Sequence, residues 1–369
     1  MKLLFKSVLA IILSCSSIQA QDIVGQVDKV SEIDSYLKKL ASDSKFMGYV
    51  ILSHGDSILY QNGFGYSDIE NKIPFSKNTL FCICSTGKLF TAAIIMKMVQ
   101  ENKIKLDDYI GKYFPELPYG DIVTIRHLLT HASGLTNYQE NPEYFKNKSS
   151  IDNLSFIKTQ KLKFKPGEET YYSTSGMILL GAVIEKVYAM NYKDVLKKEI
   201  LNPLSMDNTL SLNYKEVLNQ KESEAALPYY KINDEGKIIK RELSRADSLL
   251  IPLGAGGEIS CAEDLFKFDR GLYSYKIIDK THLNKMIEKQ SKTEWEDCYF
   301  GLGIVIENAG SSHWGAGHGG CDNLYYTHFI KSDITLIIGT IEGYANPIYL
   351  KNAFAVAEDI KKILFDDLK

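Results

Sequence analysis

Strand-like apolar alternation stands near the two ends of this chain, and helical patterns fill the long span between them. Tyr49 to Leu52 and Ile58 to Gln61 alternate around His54-Gly55-Asp56, a hairpin signal. Far downstream, Phe300 to Glu307, Leu324 to Ile330 and Ile334 to Ile341 are three strand candidates in succession. Such a distribution predicts an α/β (α+β) class: one antiparallel sheet built from N- and C-terminal strands, flanked by helices, with a helical insertion. Val27 to Leu40 predicts an amphipathic helix ahead of the first strands, and Leu106 to Phe114 and Gly176 to Tyr188 predict helices in the middle. The last of these is apolar almost all round, at Met177, Ile178, Leu179, Leu180, Val183, Ile184 and Val187, which predicts burial. A closing helix is expected with Asn346 as cap, Pro347 at its start, and Leu350, Phe354, Ala357, Ile360 and Leu364 on one side.

Between the first strands and the insertion lies Ser85-Thr86-Gly87-Lys88, where the apolar run Leu80 to Cys84 hands over to a helical stretch, Leu89 to Gln100. On a helix beginning near Ser85, the hydroxyl and the Lys88 amine share one face of the first turn. A serine needs a base before it becomes a nucleophile, and a lysine among apolar neighbours can serve as one. The helix N-terminus adds positive potential toward a developing oxyanion. The same S-x-x-K spacing recurs at Ser35/Lys38, Ser42/Lys45 and Ser155/Lys158, where it reads as solvated helix surface. The apolar lead-in, Gly87 and the buried-looking helix set Ser85 apart.

Further elements follow in order: His127-Leu128-Leu129-Thr130-His131-Ala132-Ser133-Gly134-Leu135, then Pro166-Gly167 with Tyr172-Ser173, then Gly256-Gly257 with Ser260 and Asp264, then His318-Gly319-Gly320. With Ser85 to Lys88, these five ordered matches resemble the serine β-lactamase and penicillin-binding protein superfamily, in its class C-like branch, over nearly all of the mature length. The resemblance implies an α/β subdomain from residues 21–80 and 290–369, a helical subdomain from 81–289, and an active site in the cleft between them. It implies Ser85, Lys88 and Tyr172 as the catalytic group, Tyr172 rather than Tyr171 because of its distance from Pro166-Gly167. His318, Gly319, Gly320 and Cys321 stand where better-known relatives carry K-T-G, with the Cys321 and Ser85 N–H groups as an expected oxyanion hole. Thr174 occupies the substrate-side position that is Asn in most of the branch; a hydroxyl has less reach and donor capacity than an amide, which disfavours potent β-lactamase activity. Leu324-Tyr325 replaces a frequent Gly-Phe pair, so a narrower, more aromatic pocket lip is expected.

The first twenty residues read as an export signal: Lys2 and Lys6, an apolar segment from Val8 to Leu13, and small residues ending at Ala20. That segment is too short for a stable membrane span. The competing reading is lipidation at Cys15 of a lipoprotein. Cleavage after Ala20 would leave Cys82, Cys84, Cys261, Cys298 and Cys321, an odd and scattered set that makes no disulfide framework. Residues 21–369 suffice for one large catalytic unit. A net charge of −3 gives no electrostatic reason to expect nucleic acid or an anionic membrane as partner. His127 and His131, an i, i+4 pair, lack an intervening Glu and a third ligand, so no metal is expected, nor any cofactor. G-x-S-x-G and P-loop patterns are absent from the chain. The expectation is an exported serine hydrolase working through a Ser85 acyl-enzyme on small-molecule or peptide substrates, of D-amino-acid peptidase or esterase type. A β-lactamase, an acyltransferase and a non-catalytic penicillin-recognising receptor or scaffold are the alternatives.

Overall fold

The structure, a computed structural model, describes residues 28–69, 71–137, 140, 153–211, 231–232, 238–240, 254–320, 323–341 and 351–365. Its centre is an eight-stranded, wholly antiparallel sheet. The strands are β1 (Gly48–His54), β2 (Ser57–Phe64), β3 (Ser291–Lys292), β4 (Tyr299–Phe300), β5 (Val305–Glu307), β6 (Gly315–Gly317), β7 (Leu324–Phe329) and β8 (Ile334–Thr340). Their order is β2-β1-β8-β7-β6-β5-β4-β3, so the N-terminal hairpin pairs directly with the last strand. Gly48 to His54 runs against Thr340 to Ile334 without a break in register.

Side chains on a strand alternate between faces, and both faces of this sheet are covered. From β1, Tyr49 and Ile51 enter the larger core while Val50 and Leu52 enter a second one; from β8, Ile337 takes the first side and Leu336 and Ile338 the second. The second core is closed by a helix at residues 28–42 (α1) and by the C-terminal helix, Ala353–Leu364, through Ile33, Leu37, Val356, Ala357 and Ile360. The larger core lies under the helical insertion. At its heart is α2 (Lys88–Gln100), buried on all sides from Lys88 to Met96. Against it pack α3 (Thr174–Tyr188) and α4 (Ala262–Tyr273); Phe90 of α2 meets Phe268 of α4 edge-on, ring centroids 4.8 Å apart. The C-terminal helix is α5.

Three local expectations change. Leu106 to Phe114 is not a helix; only a 3-10 turn forms, at Ile110–Lys112. Asp108 draws the chain into a turn by accepting from the Lys105 N–H and from Tyr113, while the Ile110 and Gly111 N–H groups donate to the carbonyls of Val123 and Gly120. Phe300 to Glu307 is two short strands rather than one. Between them the Leu302 and Gly303 N–H groups turn away to Met286 and Leu129, and Gly303 has φ +72°. The closing helix is capped by Asn352, whose side chain accepts from the Ala355 N–H, and its buried face is Ala353, Val356, Ala357, Ile360 and Leu364; Phe354 leaves that face, partly exposed, and packs on Tyr325 instead. Asn346, Pro347 and Leu350 lie outside the described residues, as does the whole leader with Cys15. No helix among the described residues is long and apolar enough to cross a membrane.

The Phe90–Phe268 contact ties α2 to α4, and both rings are fully buried. Phe90→Ala is expected to lower unfolding stability by about 3–5 kcal/mol, read from the urea midpoint of the purified protein.

Candidate active site

The apolar run before Ser85 becomes a short strand, Phe81–Cys82, paired with Ile259–Ser260. The chain then bends at Cys84, φ +45°, and enters a 3-10 turn over Cys84–Gly87 that runs straight into α2. Ser85 and Lys88 therefore sit one turn apart at a buried helix start. Lys88 is 1% exposed. Its Nζ donates to Ser85 Oγ at 2.9 Å and to the Ala255 carbonyl at 2.7 Å. Tyr172 OH donates to Ser85 Oγ from the other side, also at 2.9 Å, and its ring centroid is 5.3 Å from the lysine nitrogen. A hydroxyl held between an amine and a phenol has two neighbours able to take up or return its proton. Tyr171, by contrast, turns outward to Glu140.

Tyr172 precedes α3, which Ser173 caps by accepting from the Gly176 N–H. His131, itself at φ +55°, grips this segment from both ends: its carbonyl accepts from the Tyr171 N–H at 2.9 Å and its Nδ1 from the Ser173 N–H at 3.2 Å. Its ring lies 4.7 Å from that of Tyr172 and 4.5 Å from that of Phe300. His127 serves a different end. Its Nδ1 accepts from the Thr124 N–H in a capping box at the start of Ile125–Leu129. Among the described residues no group of three or more His, Cys, Asp or Glu is arranged to hold a metal.

The segment after β6 forms the facing wall. Thr86 Oγ1 donates to the His318 carbonyl at 3.1 Å. Gly320 lies so close to the Ile83 carbonyl that a Cβ there would come within 2.1 Å of its oxygen. The His318 Nδ1–H donates to the Gly319 carbonyl at 2.7 Å, which leaves Nε2 as an acceptor, buried and without a partner. Burial first, and the Lys88 charge second, push the His318 pKa down to about 3; the same two causes bring His131 to about 3. Thr174 is buried in the first turn of α3 and is not among the cleft-lining residues. Cys321 lies outside the described residues.

Above Ser85 opens a cleft of about 500 Å³ whose floor and walls include Tyr172, His318, Gly319, Trp295, Tyr325 and Phe354. Tyr325 and Phe354 meet edge-on at 5.7 Å, which makes the lip aromatic. Glu307 and Glu358 also line it, joined by buried Lys361 at 3.7 and 2.5 Å. Trp295, Glu307, Phe354 and Glu358 have no mark in the sequence, since only the sheet and α5 bring them to Ser85. Asp264 is structural: it accepts from the Asn208 N–H, Thr209 Oγ1 and Lys267, tying the Asn208–Thr209 loop to α4. Of the other S-x-x-K pairs, Ser35 and Ser42 are exposed and donate to nearby carbonyls of α1 and its C-terminal turn.

The two buried histidines carry a pH signature. Folded, they stay neutral far below the ordinary histidine value of 6.5; unfolded, they take up protons as pH falls through it. The unfolded chain binds more protons there, so stability is lost from pH 6.5 downward, by up to about 1.4 kcal/mol per histidine and pH unit. Urea midpoints at pH 6.5 and 4.5 are expected to differ, and the difference to shrink in His318→Asn.

Comparisons with known proteins identify the family and the fold. Penicillin-binding protein 4* of Bacillus subtilis (strain 168) is 29% identical over 291 residues, 76% of this chain but 64% of that protein, so the chain spans less than two thirds of this relative. The octameric penicillin-binding protein homologue from Pyrococcus abyssi superposes with a TM-score of 0.75 at 25% identity, over 91% of this chain and 77% of the other. The D-amino acid amidase from Ochrobactrum anthropi SV3 complexed with D-phenylalanine shares the fold, with a TM-score of 0.73, 23% identity, and 91% and 98% of the two chains covered. A family model described as Beta-lactamase matches residues 34–349, from α1 to just short of α5, and on that match this chain belongs to the Beta-lactamase family.

Proposed function

We propose that this protein is an exported serine hydrolase that works through a Ser85 acyl-enzyme on small ester or amide substrates, of the simple acyl or D-amino-acid type. The observation that carries the reading is Ser85 Oγ held at 2.9 Å by both Lys88 Nζ and Tyr172 OH, at the foot of an open cleft. Ser85 Oγ bonds to the substrate carbonyl carbon while its proton passes to Lys88 or Tyr172. The carbonyl oxygen becomes an oxyanion facing the Ser85 N–H, with the Cys321 N–H as second donor. Tyr172 returns the proton to the leaving group, and water then releases the acyl group by the same steps in reverse.

The charge of the cleft favours uncharged acyl donors over β-lactams. Penicillins and peptides ending in D-alanine carry a carboxylate. His318 is neutral above pH 4, and the lining carboxylates Glu307 and Glu358 outnumber Lys361. Among the described lining residues no exposed cation is present to receive an anionic group. The His318 Nε2 acceptor suits an N–H or O–H instead. The aromatic lip at Trp295, Tyr325 and Phe354 offers an apolar acyl or side-chain group a place to lie.

Ser85→Ala is expected to abolish turnover of aryl esters with the fold retained, and wild type alone to gain the mass of a fluorophosphonate adduct. Undiminished hydrolysis by that variant overturns the reading. Tyr172→Phe should lower kcat by about 10²- to 10⁴-fold. Given a D-alanyl peptide as its free acid and as its carboxamide, the enzyme should favour the carboxamide by at least about tenfold in kcat/KM, or 1.4 kcal/mol. Rapid nitrocefin opening with neglect of both peptides would make it a β-lactamase.

A further inference from the structure

Behind the nucleophile lies a carboxyl group that the proposed reaction does not use. Glu258 is 0% exposed, and neither of its carboxyl oxygens has a hydrogen-bond partner. Burying such a group costs several kcal/mol unless something compensates, so its place in the fold calls for a reason. The place is specific. A Cβ on Gly87 would come within 2.2 Å of Glu258 Oε2, which puts the carboxyl against the backbone between Ser85 and Lys88.

The stretch around it braces the catalytic turn at every step. The Gly254 carbonyl accepts from Thr91 Oγ1 at 2.7 Å, and the Ala255 carbonyl accepts from Lys88 Nζ at 2.7 Å. Gly256, at φ +125°, lies so close to the turn that a Cβ would come within 2.0 Å of the Cys84 carbonyl oxygen and 3.0 Å of the Ser85 nitrogen. Glu258 then adds its carboxyl on the far side of Gly87. Two titratable groups act on it electrostatically: Lys88 of α2, and Tyr192, which opens the helix Tyr192–Leu196. Tyr192 is held by Thr91 at 2.7 Å, and burial pushes its pKa well above the ordinary value, so it stays neutral. Lys88 is left as the charge that Glu258 answers.

We propose that Glu258 is a positioning residue for the acylation step: its carboxylate is the buried counter-charge to the ammonium that Lys88 carries once the Ser85 proton has arrived. In that step the Ser85 O–H bond breaks, Oγ bonds to the carbonyl carbon, and the proton ends on Lys88 nitrogen, directly or through Tyr172. No proton leaves the site. An ionised Glu258 stabilises the charge so created in a low-dielectric setting, and a protonated one does not. Burial raises its pKa to about 7, against the pull of Lys88 and of the nearby N–H groups of Gly254 and Glu258 itself, which face it without closing a normal hydrogen bond. Acylation should accordingly rise with pH through that region. His131 and His318 cannot supply this limb, because both stay neutral down to about pH 3.

The inference rests on the Ser85 acyl-enzyme reading, and one experiment separates the two. The rate of fluorophosphonate labelling at Ser85 is followed by intact mass from pH 5 to 9, with Glu258→Gln, Glu258→Asp and Glu258→Leu beside wild type. Wild type should show a rising limb with its midpoint near 7. Glu258→Gln should lose the limb and label at least tenfold more slowly at pH 8.5, while Glu258→Asp keeps a limb with a displaced midpoint. If Glu258→Gln does not fold, the apolar Glu258→Leu, which leaves no polar atom unpaired, carries the same expectation. A limb of unchanged midpoint in the folded Gln or Leu variant overturns the role of Glu258 alone. Absence of labelling in wild type at every pH overturns the acyl-enzyme reading and this inference with it.

Discussion

The buried amine of Lys88 is the constraint around which the rest of the site is arranged. An amine withdrawn from water needs acceptors, and it finds them in Ser85 Oγ and the Ala255 carbonyl. To supply the second, the chain from Gly254 to Glu258 must run directly under the catalytic turn, closer than any side chain would permit. Gly87 and Gly256 meet that demand: a Cβ on either would strike Glu258 Oε2 or the Cys84 carbonyl. The glycines, the carbonyl and the lysine form one device, and exchanging any of them displaces the nucleophile.

The sheet and the helical insertion hold this device from opposite sides. From the sheet, the connection after β6 contributes the His318 carbonyl to Thr86 and seats Gly320 on Ile83. From the insertion, His131 clasps Tyr171 to Ser173 and leans its ring on Tyr172, so that the phenol arrives at Ser85 with little freedom. Two buried neutral histidines, one on each side, flank the buried Lys88 side chain. This polarity suits chemistry in which a proton moves among Ser85, Lys88 and Tyr172 while the surroundings keep their charge. The cleft above them is aromatic and carries carboxylates, a setting for uncharged acyl donors.

How much of this was legible in the sequence follows from how local each feature is. The strand-like apolar stretches Tyr49 to Leu52 and Ile334 to Ile341 mark strands that do form, because both faces of those strands are filled with apolar side chains. Leu106 to Phe114 had helical periodicity but no claim on its own backbone: Asp108 and the carbonyls of Gly120 and Val123 took the N–H groups first. Phe300 to Glu307 read as one strand because nothing in the sequence reveals that Leu129 and Met286 accept from its middle. The cap of α5 is Asn352 and not Asn346: Asn346 has the stronger local signal because Pro347 follows it, but packing against β7 and β8 starts the helix at Ala353.

The sequence by itself determined what lies within one turn or one strand: Ser85 and Lys88 three residues apart on a helix start, glycines where backbone must pass backbone, and the two-ended origin of the sheet. Ordered family motifs extended this to Tyr172 and His318. Tertiary structure alone decided the rest, because it depends on distances between residues far apart in the chain. It brings Tyr172 to 2.9 Å from a serine 87 positions earlier, makes His318 a neutral acceptor by burying it beside Lys88, lines the cleft with Trp295, Glu307, Phe354 and Glu358, and sets Glu258 unpaired beneath Gly87.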